Sequence, residues 1–306
     1  MDFKGGLTDL QIQERSKAIG ASEVAAVLGL SKWETPLQVF DRKINPMGDH
    51  FQGNDATYFG TKLEPIVANR FAEETGYRLI EVEEAYKKGH LVAHIDRLIV
   101  DLGIPLECKT QNAFAGLWEE VPDAYRVQTE AQMWCMDVNE CFVAVVIGGQ
   151  QYQHFHVTGD KKLQEAIAER VDSFWENHVL RNIPPPPINY EDAVRLYPSN
   201  RVDAKLATQD AIEAMKRYQS VNTQLKALNT EKEALRLQIV ESIGDHEGLI
   251  DSNGDLLATW KLTNPKPKID PKLALEHLSE DEKKLSTIQP KGVRVLNLKA
   301  KNLNNH

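Results

Sequence analysis

Apolar residues recur at intervals of three and four from Leu63 to Thr75, with Ile66, Val67, Phe71 and Ala72 on one stripe, and this pattern predicts an amphipathic helix that Gly76 stops. Two shorter helices are predicted earlier, over Ala21 to Leu28 after Gly20 and over Thr35 to Lys43 with Pro36 in its first turn. Ser22 has Ala25 three residues on in place of an acid or amide, so its hydroxyl is not committed to a capping box. Strand-like runs follow at Tyr77 to Val82, Val92 to Val100 and Ile104 to Lys109, the last two joined as a hairpin by the tight turn Asp101-Leu102-Gly103. Then come a helix from Tyr125 to Met136, a buried strand from Cys141 to Gly148, a partner strand from Gln151 to Val157, and a closing helix from Lys161 to Val179.

The run Ile183-Pro184-Pro185-Pro186-Pro187-Ile188-Asn189 cannot continue a helix and predicts a stiff connector, which puts one domain at residues 1–190 and a second region at 191–306. Beyond it, Ala211, Ala214, Tyr218, Val221, Leu225, Leu228, Leu235 and Ile239 follow a 3–4 spacing broken by Lys232, the pattern of one long helix or a helical hairpin. Gly248 to Leu262 reads as a β-hairpin around Asn253-Gly254, and Val293 to Leu298 as a last strand.

Charge and cysteine usage narrow the function. The net charge of −9 argues against a protein that coats nucleic acid by bulk electrostatics. From Thr263 onward, nine Lys and Arg stand against five Asp and Glu, a local +4 that leaves −13 for the rest. The three cysteines, Cys108, Cys135 and Cys141, are too few and too irregularly spaced for a disulfide framework or a thiolate metal site. No apolar run reaches about 18 residues, so no membrane span is expected and the cytoplasm is the expected compartment.

Candidate chemistry concentrates in His94-Ile95-Asp96-Arg97 and Leu106-Glu107-Cys108-Lys109. On a strand, alternate residues share a face, so Glu107 and Lys109 point together and Cys108, between them, offers only its carbonyl. With Asp96 across the hairpin, two carboxylates, a backbone oxygen and an ammonium assemble at one point, a set of hard donors suited to Mg²⁺ or Mn²⁺ and to phosphodiester cleavage. An exposed cross-strand ion pair is the competing reading of this Asp-x10-Glu-x-Lys spacing. Glu64 reads either as a carboxylate near that point or as a favourable charge early in its helix. Gln128 and Gln132, at i and i+4, share one helix face and suit either a nucleic-acid backbone or solvent.

In order along the chain, the segment from Ile19-Gly20-Ala21-Ser22 to Thr35-Pro36, Gly60-x3-Glu64-Pro65, Asp96 with Glu107-Cys108-Lys109, and Pro122-x2-Tyr125-x2-Gln128-x3-Gln132 resemble the YqaJ-type viral recombinase nucleases. These are relatives of phage lambda exonuclease in the PD-(D/E)XK superfamily, and the resemblance spans roughly residues 12 to 180. It implies an α/β (α+β) restriction-endonuclease-like core, a mixed central sheet flanked by helices, with a C-terminal helical and β-hairpin region outside it. It also implies metal ligation by Asp96, Glu107 and the Cys108 carbonyl, catalysis by Lys109 with Glu64 and Gln128, and two Mg²⁺ ions per site, for which Mn²⁺ substitutes.

Arg15 and Ser22 match in spacing the pair that holds a 5′-phosphate in lambda exonuclease, and His94 and Gln132 complete the expected DNA contacts. Arg15 reads equally as a surface charge. His94 stands where lambda exonuclease has a serine, and a core histidine is its other reading; Arg97 replaces a small residue. The activity implied is 5′→3′ digestion of double-stranded DNA ends to leave 3′ overhangs, with a RecT- or Bet-type annealing protein as partner and a homo-oligomer, a trimer by resemblance, as the working form. A structure- or sequence-selective endonuclease of the same fold is the alternative.

Overall fold

The computed structural model describes residues 15–48, 53–199, 203–262 and 277–286. The chain divides into two compact units, the first ending at Tyr197 and the second beginning at Pro198. The first therefore extends past the proline run.

The first unit opens with β1 (Ile19–Gly20), a 3₁₀ turn (Ala21–Glu23), α1 (Val24–Val27) and α2 (Pro36–Ile44). Sequence explains the start of α2: Thr35 accepts from the Gln38 N–H while the Gln38 side chain accepts from the Thr35 N–H at 2.9 Å, with Pro36 next in line. α3 (Asp55–Thr75) starts earlier than its apolar pattern predicts, because Asn54 caps it, so that Gly60 and Pro65 both lie within it. Gly76 ends it at φ 75, a left-handed conformation that a side chain would strain.

The strands are β2 (Leu79–Ile80), β3 (Tyr86–Lys88), β4 (Leu91–Ala93), β5 (Arg97–Ile99), β6 (Ile104–Gln111), β7 (Glu140–Ile147) and β8 (Gln151–Thr158). A five-stranded mixed sheet has the order β2-β5-β6-β7-β8, with only β6 and β7 parallel. A smaller sheet has the order β1-β4-β3. The single strand predicted over Val92 to Val100 is thus two. The chain leaves the small sheet after Ala93, bends through His94 to Asp96, and enters the large sheet at Arg97. Asp96 lies at this bend, not within a strand.

α4 (Asp123–Met136) makes the crossover from β6 to β7, and α5 (Lys161–Phe174) closes the unit and runs into a π-helical turn at Trp175–Val179. Val67, Ala68 and Phe71 of α3 pack with Ile99, Ile104, Leu106, Cys108 and Ala144 on one face of the large sheet. Ile66 lies outside that stripe and is 59% exposed, which corrects its predicted inward place. At 100° per residue, Glu64, Val67, Ala68 and Phe71 share the sheet-facing side and Ile66 falls well off it.

On the opposite face Met133 of α4 packs with Trp118, Cys141, Val143, Val145, Ile147 and Val157. A second stripe of α4, Val127, Ala131 and Cys135, joins the small-sheet core with Ile19, Leu91, Ala93 and Ile167. α4 is therefore wedged between two cores, which forces its remaining inward stripe, Gln128 and Gln132, to find polar partners. Past the prolines, α6 (Tyr190–Leu196) is tied to the first unit by the 2.7 Å bond from Thr35 Oγ1 to Asp192.

The second unit contains α7 (Gln209–Ile243), one continuous helix of 35 residues, then the antiparallel pair β9 (Gly248–Ile250) and β10 (Leu256–Thr259), and α8 (Glu280–Ser286). The Asn253-Gly254 turn predicted between the strands is present, with Gly254 at φ 89 and Asp251 accepting from the Asn253 and Asp255 N–H groups at 2.9 Å each. The strand predicted at Val293 to Leu298, and most of the basic tail, lie outside the described residues.

Candidate active site

The last pair between β5 and β6 is Arg97 with Leu106, so β6 runs on beyond the end of β5. Cys108 faces that side with no strand opposite, and its N–H donates instead to Asp96 Oδ2 at 2.7 Å. The bend at Asp96 thus places one acid at the free margin of β6. The N–H and C=O of a strand residue face the same neighbour, which turns the Cys108 carbonyl toward Asp96 as well. The Cys108 side chain points the other way, into the α3 core, and its thiol is driven far up in pKa by burial.

Glu107 and Lys109 project from the opposite face toward α4. Glu107 is only 3% exposed, yet both its oxygens are engaged: Oε1 accepts from Lys109 Nζ and Gln128 Nε2 at 2.6 Å each, and Oε2 from Gln132 Nε2 at 2.5 Å. Lys109 also donates to Gln128 Oε1 at 3.1 Å, and its ammonium lies 4.9 Å from the centre of the Tyr125 ring. Tyr125, Gln128 and Gln132 thus form one helical stripe aimed at the acid and the amine. Burial opposes the charge on Lys109, but Glu107 outweighs it and raises the pKa above its ordinary value, which keeps the ammonium protonated. At Asp96 burial, then Glu107, push the carboxyl up to about 8, with Glu64 adding to the effect.

Glu64 reaches the region from α3, held by Arg97 Nη1 at 2.7 Å. Arg97, itself buried, also pairs with Glu81 at 3.0 Å and donates to the Asp96 carbonyl, so it clamps the bend that carries Asp96. Sequence reading noted Arg97 only as a departure; its role depends on partners 33 and 16 positions away.

The expected phosphate contacts lie to the N-terminal side. Ser22 is exposed in the 3₁₀ turn and Arg15 is exposed before β1. His94 lies on the bend with its ring partly desolvated, and that desolvation, then the charges of Arg15 and Lys87, lower its pKa below the ordinary histidine value. Gln132 also donates to the His94 carbonyl at 3.1 Å, linking this side to Glu107. Next to Ser22 in the chain, Glu23 anchors a partly buried ionic knot absent from the sequence reading. Glu23 accepts from the Gly20 N–H at 2.7 Å and from Arg42 and Lys43 at 2.6 Å each, and Lys43 also donates to the Arg15 carbonyl at 2.7 Å. The cap of this turn is therefore Gly20 with Glu23, which leaves the Ser22 hydroxyl out of it.

The donor set suits a hard divalent cation. Among the described residues no three His, Cys, Asp or Glu side chains converge as a metal-binding group. Two carboxylates and a backbone carbonyl remain, the sparse oxygen set with which Mg²⁺ keeps part of its water. The Gln132 Oε1, buried and without a hydrogen-bond partner, adds an unused acceptor beside Glu107.

Residues 12–139 match the model of the YqaJ-like viral recombinase domain. The uncharacterized protein YqaJ of Bacillus subtilis (strain 168) is 29% identical over 266 residues, covering 81% of this chain and 81% of its own. Among solved structures, an alkaline exonuclease from Laribacter hongkongensis is 23% identical, with 57% of this chain and 94% of that one aligned at a TM-score of 0.48. A phage-related exonuclease from Haemophilus somnus 129PT is 15% identical, with 54% and 95% covered and a TM-score of 0.46. Over residues 12–139 the chain is thus similar to the YqaJ-like viral recombinase domain.

Proposed function

We propose that this chain is a metal-dependent deoxyribonuclease that digests double-stranded DNA from its ends, 5′→3′, and leaves 3′ single-stranded overhangs for annealing-type recombination. The observation that carries the reading is the Glu107 carboxylate, buried in the middle of β6 and held by Lys109, Gln128 and Gln132, with Asp96 fixed against the next backbone N–H. Asp96, Glu107 and the Cys108 carbonyl would hold Mg²⁺, with Mn²⁺ as a substitute and two ions per site in the expected stoichiometry. A divalent cation held there supplies Lewis acidity to the phosphodiester and to the attacking water.

The chain's own groups do the rest. Lys109, held protonated by Glu107, donates to the nucleophile or to the scissile phosphate; it serves as a charged positioner rather than as a base. Gln128 and Gln132 fix the orientation of the Glu107 carboxylate. Glu64 adds a third acidic charge from α3. Arg15 and Ser22, with His94, supply a guanidinium, a hydroxyl and an imidazole for a terminal 5′-phosphate. A RecT- or Bet-type annealing protein is the partner this product calls for, and the cytoplasm is where both would act. Among the described residues no helix is long and apolar enough to cross a membrane.

The alternative, an endonuclease of the same fold, needs no contact with a strand end. Digestion of linear duplex bearing 5′-phosphate, linear duplex bearing 5′-hydroxyl, and covalently closed circular DNA separates the two readings. The proposal expects the first to be degraded fastest and the closed circle to survive. Closed circles cut at the rate of linear DNA would overturn it in favour of the endonuclease.

A further inference from the structure

α7 carries an apolar seam that is open on its N-terminal half, while Leu228, Lys232, Leu235 and Ile239 also line a cavity bordered by Ala258, Thr259 and Trp260. Ala211, Tyr218, Leu225, Lys232 and Ile239 recur every seven residues, and Ala214, Val221, Leu228 and Leu235 recur three residues after each of the first four. Tyr218, Val221, Leu225, Leu228, Leu235 and Ile239 are all exposed. A strict seven-residue repeat over four heptads drifts around a straight helix of 3.6 residues per turn, so it matches the supercoiled partner of a coiled coil better than the flat side of a globular core.

Lys232 occupies a seam position, and neither it nor Glu231 forms an ion pair within the described chain. We propose that α7 pairs in parallel and in register with α7 of a second copy of this chain. Charge complementarity selects that occupant. In a parallel pair Glu231, at the flank of the seam, meets Arg236 of the partner subunit and lies beside Lys232 of the partner subunit. An antiparallel pair about the middle of the seam opposes like flanks and sets Glu231 against Gln224 instead. The lone seam lysine therefore gains a carboxylate only in the parallel arrangement, and it fixes the register there.

Cysteine cross-linking of the full chain tests this without reference to nuclease activity. Val221→Cys places a thiol on the seam, and Thr223→Cys places one on the outer face two residues later. The native cysteines Cys108, Cys135 and Cys141 are all buried and give little background. Under mild oxidation, the seam variant is expected to yield a disulfide-linked dimer at least ten times faster than the outer-face variant, and Glu231→Lys added to Val221→Cys to slow it several-fold. Equal rates at the two positions, no cross-link at position 221, or a rate untouched by Glu231→Lys would each overturn the proposal. An antiparallel pair or burial of the seam against another partner would also leave position 221 uncross-linked.

Discussion

At Glu107 the question is how a buried carboxylate keeps one orientation. Lys109 and Gln128 hold one oxygen and Gln132 the other, so deleting an amide leaves a lone pair unmet inside the protein. Gln132→Ala should therefore lower kcat about tenfold, the scale of the ~1–3 kcal/mol attached to an unsatisfied buried group, with little change in KM for linear duplex. Unchanged kcat would remove Gln132 from the support of the acid.

Glu23 gives a separate test of the phosphate side. Burial works against its charge, but Lys43 and Arg42 win and hold its carboxyl below the ordinary 4.5. Because the folded value is the depressed one, Glu23 stabilises the fold above pH 4.5 and the benefit is lost as the pH falls below it. Denaturant melts of wild type and Glu23→Gln should differ most at neutral pH and converge in acid; curves that stay parallel would contradict the knot. The facing of Glu107 and Lys109 was legible from strand alternation, and the shared face of Gln128 and Gln132 from helical spacing. Neither the Arg97 clamp nor the Glu23 knot was, because each joins residues far apart in sequence that only the tertiary fold brings together.

Among the elements, α3 shows where pattern reading succeeds and where it slips. Its existence and its stop at Gly76 followed from the apolar spacing and the left-handed glycine. Its start and facing did not, because Pro65 and Gly60 sit inside a helix that Asn54 caps earlier and whose buried stripe runs through Glu64, Val67, Ala68 and Phe71. Substitution of the two faces should expose the difference. Phe71→Ala, fully buried against the sheet, should cost about 3–5 kcal/mol in chemical denaturation, and Ile66→Ala about 0.5 kcal/mol or less. Similar losses at both positions would restore the inward place of Ile66. The split of Val92 to Val100 into two strands was hidden for a related reason: the run stays strand-like throughout, and only the second sheet reveals that the chain changes partners at Asp96.

For the molecule as a whole, the proposed function and a net charge of −9 together require DNA to be gripped locally, at sites where fixed cations and a bound metal would offset the phosphates. Ca²⁺ in place of Mg²⁺ should allow duplex binding without hydrolysis, since it accepts looser coordination and activates water less. Binding lost in Ca²⁺, or hydrolysis sustained by it, would contradict the metal's assigned part. The central claim is tested most directly by release of nucleotides from linear 5′-phosphorylated duplex in Mg²⁺, comparing wild type with Lys109→Ala. The account predicts that the variant still binds the duplex but loses cleavage by a factor of about 100 or more, on the scale of one charged group acting in the transition state. Cleavage by Lys109→Ala at the wild-type rate would show that the chemistry lies elsewhere.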